Sequence, residues 1–273
     1  EEEGNTVTMR IIVPIKQVPE TSNVKMDDKT GTIVRDGVGS IINPLDLYAI
    51  ETALNIRDAQ GGSILTVTMG PPNAMASLRE AVAMGCDEAV LLTDRRFAGA
   101  DTWSTSYVLA KMIEKVGDFD LIICGERATD GDTGQVGPGV GAWLGLPVLS
   151  YISHVDPTGS DTLRVRRLVE DGYETLETSL PALLTVVKEV ADPRLPTLSG
   201  KKRAKTLDIP IWKPEDIGAD VAHLGLKGSP TKVVKVHRPK VSRNCEQIRA
   251  DDDANVTAAV ERMGAMLTNA GVL

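Results

Sequence analysis

From Met9 to about residue 187, apolar runs of strand length alternate with stretches of helical spacing. Arg10-Ile-Ile-Val-Pro-Ile15 predicts a first buried strand, with Pro14 near its end because proline lacks the N–H that a central ladder needs. Asn43-Pro44-Leu45-Asp46 opens the next element: Pro44 suits a first helical turn, and Leu47, Ile50, Ala53, Leu54 and Ile56 follow at helical spacing. A core strand at 64–69 is closed by Gly70-Pro71-Pro72. After it come a helix at 74–84 ended by Gly85, a strand at 89–93 and a helix at 102–116 with Asp101 as its cap. Residues 119–124 predict another buried strand, and residues 147–151 another. Strict alternation over 163–169 and 173–178, around Glu170-Asp171-Gly172, predicts a hairpin, and residues 181–187 return to the core. A shorter surface hairpin is expected over 24–36, around an Asp/Lys/Gly turn.

Strands and helices in this order predict an α/β fold with a mostly parallel, doubly wound sheet and right-handed crossovers. Ligands on such sheets bind beyond the carboxyl ends of the strands, which puts Pro14, Asn43, Met69, Thr93 and Gly125 on one rim. The strand at 119–124 runs into Gly125-Glu-Arg-Ala-Thr-Asp-Gly-Asp-Thr-Gly-Gln-Val136, and Val140, Ala142, Trp143 and Leu144 then give a helix an apolar side. A helix start gathers unpaired N–H groups and the positive end of the helix dipole, so the expected ligand is phosphorylated, gripped by amides around Gly131 and Gly134. The same glycines would also serve a crossover turn packed for its own sake. Asp130, Asp132, Thr133 and Gln135 favour a ligand, because a plain turn does not require those directional groups. Arg95, Arg96 and the Asp101-Thr102 helix start are either a second nucleotide contact or an ordinary strand-to-helix loop.

Composition narrows this picture. A formal charge of −8 argues against a nucleic-acid surface. No apolar run approaches the ~20 residues of a membrane-spanning helix, so a cytoplasmic protein without membrane insertion is expected. Cys86, Cys124 and Cys245, like His154, His223 and His237, are too scattered for a disulfide framework or a metal cluster. With so few nucleophiles and imidazoles, chemistry is expected from a bound cofactor, and no catalytic side chain is assigned.

Three divisions are expected. Residues 1–8 are an acidic, disordered lead, residues 9–191 the nucleotide-binding domain, and residues 192–273 an extended arm with a terminal helix. The arm carries many prolines and a basic run, Lys201-Lys-Arg-Ala-Lys205, with Leu195, Leu198, Ile211, Trp212, Leu224 and Leu226 scattered through it. That composition fits a segment lying on a partner chain. Residues 254–270 predict an amphipathic helix capped from Asp251-Asp-Asp253.

These stretches together resemble the beta (small) subunit of electron-transferring flavoproteins. The most specific block is Val165-Arg-Arg-Leu-Val-Glu-Asp-Gly-Tyr-Glu-Thr-Leu176 followed by Pro181-Ala-Leu-Leu-Thr185. Ile15-Lys-Gln-Val-Pro19, Ile42-Asn-Pro44, Met69-Gly-Pro71, Ala83-Met-Gly85 and Pro193-Arg194 support it. The resemblance implies a domain of the adenine-nucleotide alpha hydrolase-like type and a heterodimer with an alpha subunit. The nucleotide contacts it implies are Pro14, Asn43, Pro44, Asp46, Met69, Gly125, Arg127, Ala128, Thr129, Asp130, Gly131, Asp132, Thr133, Gly134, Gln135 and Val136, with Thr93, Arg95, Asp101 and Thr102 near the flavin or NADH.

Members of the family that only relay electrons carry structural AMP at this loop, and electron-bifurcating members carry a second FAD. The AMP type has three successive acids where this chain has Asp130-Gly131-Asp132. Loss of the middle carboxylate lowers repulsion and leaves room for a diphosphate. Residues 130–133, 94–102 and 224–231 also resemble the bifurcating branch. That branch implies hydride from NADH, then one electron to ferredoxin or flavodoxin and one through the alpha-subunit FAD to an acyl-CoA dehydrogenase. A non-bifurcating carrier with AMP is the alternative. A universal-stress type nucleotide module and a ligand-free scaffold are the more distant ones.

Overall fold

The computed structural model describes residues 8–20, 25–26, 33–34, 39–157, 161–234 and 247–273. It forms two compact units, one ending at Val234 and one beginning at Lys235. Residues 1–7 of the expected 1–8 lead and the turn of the expected 24–36 hairpin lie outside the described residues. Its flanks, β3 (Lys25–Met26) and β4 (Ile33–Val34), pair antiparallel.

The first unit is built on β1 (Met9–Pro14), whose side chains are buried on both faces. Ile11 and Val13 enter one apolar layer and Ile12 the other, as the two-residue period of a strand dictates. β2 (Gln17–Pro19) leaves this strand and pairs antiparallel with β5 (Ser40–Ile42), the lead into α1 (Pro44–Gln60). β6 (Gly62–Met69), α2 (Met75–Met84) and β7 (Glu88–Leu92) carry the sheet outward on one side of β1. α3 (Thr102–Val116) crosses back to β8 (Leu121–Gly125) on the other side. α4 (Val136–Leu144) leads to β9 (Val148–Pro157), the hairpin strands β10 (Thr162–Val169) and β11 (Gly172–Ser179), and β12 (Ala182–Val186).

The large sheet runs β11-β10-β9-β12-β8-β1-β6-β7, and the pairs from β9 to β7 are all parallel. β10 and β11 add an antiparallel edge. The fold is thus the mostly parallel α/β architecture expected. α1 and α2 fill one face, through Ile50, Leu54, Leu78 and Val82, and α3 and α4 the other, through Val108, Met112 and Val140. From β1 the chain steps outward through β6 and β7, then returns to β8 on the opposite side. This reversal leaves a crevice beyond the carboxyl ends of β1 and β8.

After residue 191 the chain continues within the first unit as far as Val234. Arg194 donates to both oxygens of the buried Glu51 carboxylate on α1 and, at 2.8 Å, to Asp58. α5 (Leu198–Thr206) lies on α2, where Arg203 caps the helix end by donating to the carbonyls of Val82 and Cys86. β13 (Ile211–Trp212) extends the sheet beyond β7, and Ile217 and Leu224 are buried. α6 (Gly225–Gly228) follows. These apolar residues are spaced by single contacts with a sheet edge and a helix, so they show no period of their own. In the second unit, α7 (Asp253–Asn269) is capped by Asp252, which accepts from the Asn255 N–H at 2.7 Å. Its Val256, Val260, Met263 and Met266 are exposed.

A Cβ on Gly200 would sit within 2.9 Å of the Ala83 carbonyl carbon and closer still to its oxygen, so α5 reaches α2 only with glycine there. Gly200→Ala is expected to lower the unfolding free energy by about 1–3 kcal/mol in urea titrations, the usual range for an over-packed contact. An unchanged midpoint would show that α5 does not depend on this approach.

Candidate functional site

The crevice is bounded by strand ends. Pro14, Met69 and Gly125 are the last residues of β1, β6 and β8, and Thr93 follows β7. Asn43 stands between β5 and α1 and is only 1% exposed. Its side-chain amide nitrogen donates to Asp46 Oδ1 at 3.0 Å and to the Arg127 carbonyl at 2.9 Å, and its oxygen accepts the Thr129 N–H at 3.1 Å. Asp46 Oδ2 accepts the Lys16 N–H at 2.7 Å. The end of β1, the first turn of α1 and the loop after β8 are therefore held by one amide and one carboxyl. Gly125 is required by the same contact, since a Cβ there would lie 2.5 Å from Asp46 Oδ1 and 2.8 Å from the Leu45 backbone.

Burial pushes the Asp46 carboxyl from its ordinary 3.8 up to about 7, against the hydrogen bonds from Asn43, Lys16 and Gly125 and the nearby Lys16 charge, all of which act to lower it. Burial likewise raises the Cys124 thiol far above its normal range, so no thiolate nucleophile stands at the base of the loop.

Beyond Thr129 the loop opens to solvent. Lys16 Nζ meets Asp130 at 2.6 Å and Arg127 meets Asp132 at 2.9 Å. These exposed pairs contribute about 0–1 kcal/mol each. They matter more as neutralisers, because each loop carboxylate has a cation beside it. The amides of Gly131 and Asp132 donate to the Ala128 carbonyl, at 3.3 and 2.8 Å, and close a turn. The expected grip by the Gly131 amide is thus not seen here, because the turn uses that donor. Asp132 has φ 52° and Gly134 φ 63°. After this reversal the N–H groups of Thr133, Gly134, Gln135 and Val136 have no hydrogen-bond acceptor among the described residues. They lead into α4, where unpaired amides and the helix dipole favour an anion. A Cβ at Gly131 would meet nothing within 4 Å.

Thr102, at the start of α3, donates to Gln135 Oε1 at 2.8 Å and so joins the loop. Asp101 is a structural support: it caps α3 through the Ser104 N–H at 3.0 Å and accepts from the Thr231 N–H and hydroxyl at 2.9 and 2.8 Å. No hydrogen bond or ion pair joins the exposed Arg95 to the loop, and the neighbouring Arg96 is held by Asp94 and Glu215.

Sequence reasoning gave no role to Lys16, or to Tyr151 beyond ending a strand. Tyr151 has φ 61°, donates its N–H to the buried Thr185 hydroxyl at 3.2 Å, and is 51% exposed. A Cβ on Gly134 would sit 3.9 Å from the Tyr151 hydroxyl. A bulky residue with positive φ is an outlier concentrated at functional sites. Nothing in a single sequence reports it.

Comparison with known proteins decides the family. A family model described as "Electron transfer flavoprotein domain" matches residues 30–216. The electron transfer flavoprotein subunit beta of Thermoanaerobacterium thermosaccharolyticum is 46% identical over 256 residues, covering 93% of this chain and 98% of that protein. The chain belongs to the electron transfer flavoprotein beta-subunit family. Within it, the caffeyl-CoA reductase-Etf complex subunit CarD of Acetobacterium woodii is 48% identical over 241 residues, covering 88% of this chain and 92% of its own. Protein FixA of Azorhizobium caulinodans is 44% identical over 239 residues, covering 85% of each. Among the described residues no helix is long and apolar enough to cross a membrane.

The Asp46 carboxyl gives a pH signature. Between about 4 and about 7 the folded chain retains a proton that the unfolded chain releases, so this group's contribution to stability falls as pH rises through that window. The unfolding free energy of the wild type minus that of Asp46→Asn should therefore be larger near the lower limit than above the upper one. A difference flat across the window would show a carboxyl ionised throughout.

Proposed function

We propose that this beta subunit pairs with an alpha subunit and holds FAD at the loop of residues 125–136, as the two-flavin, electron-bifurcating branch does. The observation that carries this reading is the run of uncommitted amides from Thr133 to Val136 at the head of α4, beside open space at Gly131. A diphosphate needs more donors and more room than a monophosphate, and both are present. Loop carboxylates paired with Lys16 and Arg127 lower the repulsion that two phosphates would otherwise meet.

The adenosine end would lie against Pro14, Asn43, Pro44, Asp46 and the backbone of Arg127, Ala128 and Thr129, with Met69 and Thr93 further along the rim. When bound, the flavin supplies acceptance of two electrons from NADH and their separate release, one to ferredoxin or flavodoxin and one through the alpha-subunit FAD to an acyl-CoA dehydrogenase. The protein's share is placement. Asn43 and Asp46 fix the loop, Thr102 orients Gln135, and the amides bind phosphate oxygens. One relative's name ties that protein to a caffeyl-CoA reductase, which supports a CoA-ester dehydrogenase as the partner here. The exposed apolar side chains of α7 suit the alpha subunit, and a cytoplasmic setting suits these soluble donors and acceptors.

Purification with the alpha subunit is expected to return two FAD per heterodimer and bleaching of the flavin by NADH. One FAD with one AMP would replace this reading with the non-bifurcating carrier. Gly131→Asp places its side chain in open space, so it should fold normally yet weaken FAD at the beta site by about tenfold or more through a like charge beside the phosphates. Unchanged beta-site FAD in that variant would remove the role given to this glycine.

A further inference from the structure

Opposite β12, strand β9 loses its register. Leu184 pairs with Leu149 and Val186 with Ile152, so Ser150 and Tyr151 together face the single residue Thr185. A bulge of this kind re-aims a side chain, and bulges gather next to active and binding sites. This one stands at the rim of the crevice, because Val186 is also in register with Gly125, the last residue of β8. Tyr151 absorbs the backbone reversal with φ 61°, a conformation that glycine or asparagine adopts with less strain.

Packing does not account for a tyrosine at this point. Its side chain is half-exposed, and its hydroxyl has no hydrogen-bond partner among the described residues. The backbone beneath it is held firmly: Thr185 Oγ1 accepts the Tyr151 N–H at 3.2 Å. The methyl group of the same threonine packs on the head of α4, since a Cβ on Gly137, the second residue of that helix, would lie 2.7 Å from it. The bulge and the helix start therefore rest on one buried side chain. That support carries the phenol to the loop, where a Cβ on Gly134 would sit 3.9 Å from the Tyr151 hydroxyl.

Gly134 belongs to the run from Thr133 to Val136 whose amides have no acceptor among the described residues. Donors thus come from two elements, amides from the loop and a hydroxyl from the bulge. The cations along the loop are already paired, Lys16 with Asp130 and Arg127 with Asp132. A neutral hydroxyl suits the remaining place, because it can donate to a phosphate oxygen without first leaving a carboxylate.

Resting on the reading that a nucleotide occupies this loop, we propose that Tyr151 is a phosphate-binding residue. The bulge in β9 aims its hydroxyl at the phosphate held on the amides of Thr133 to Val136. Tyr151 meets that phosphate and neither of the nucleotide's rings.

Two ligands and two readouts isolate this role. The complex with its alpha subunit, alpha site saturated with flavin and beta site emptied, is titrated with FAD and with ADP, which carries the same two phosphates without the flavin ring. Tyr151→Phe keeps the aromatic ring and removes only the hydroxyl, so it is expected to weaken both ligands about tenfold, the loss of one hydrogen bond to a charged group. The phosphorus NMR resonances of bound ADP are expected to move in the same variant. Unchanged affinities would overturn the proposal, and so would a loss confined to FAD. A loss for both ligands with the phosphorus resonances unmoved would also overturn it, and would give the hydroxyl a part in holding the loop instead. A wild-type complex that takes AMP but neither FAD nor ADP would overturn the two-flavin reading alone, and the same two readouts made with AMP would then decide the role of the tyrosine.

Discussion

One buried side-chain pair, Asn43 with Asp46, holds the crevice together. Asn43 is fully committed: it donates to Asp46 and to the Arg127 carbonyl, and it accepts from Thr129. Asp46 in turn accepts from the Lys16 backbone. Three segments that meet only at the switch point are thus tied by groups that cannot turn to water. Leaving such buried partners unsatisfied costs about 1–3 kcal/mol per group. The exposed ion pairs of Lys16 and Arg127 cannot supply that order of restraint. Position therefore comes from the buried amide, and charge compensation from the surface.

The restraint also explains why the loop can leave several donors unused. Its first half is fixed by Asn43, and its middle turns on the Ala128 carbonyl with positive φ at Asp132 and Gly134. The amides from Thr133 to Val136 are left without an acceptor among the described residues, at the head of α4. Around them, Gly137 packs against Thr185, which in turn receives the Tyr151 N–H. The strained Tyr151 is thus anchored to the strand beneath the loop.

Much of this architecture was legible in the sequence. The period of two in β10 and β11, the cap at Asp101 and the apolar run of β1 are local signals, and each element lies where those signals placed it. Long-range partnership was not legible. Asn43 meets residues more than eighty positions away, and Arg194 meets Glu51 over a separation of 143 positions. β13 is two residues long, too short for any period to show. Strand β9 continues through Tyr151 because a register irregularity beside it absorbs the backbone reversal, where sequence alone ended the strand. In the loop, glycine spacing identified the right stretch, but only coordinates separate the Gly131 amide, used in a turn, from the free amides that follow it.

The central claim is that a diphosphate rests on the amides from Thr133 to Val136, over a loop fixed by Asn43 and Asp46. The most direct test is an electron-density map of the alpha–beta complex carrying its native nucleotide. The account predicts both phosphates within hydrogen-bond distance of those amides, with Asn43 still bonded to Arg127 and Thr129. A single phosphate there, or a nucleotide bound elsewhere while these amides face solvent, would contradict it.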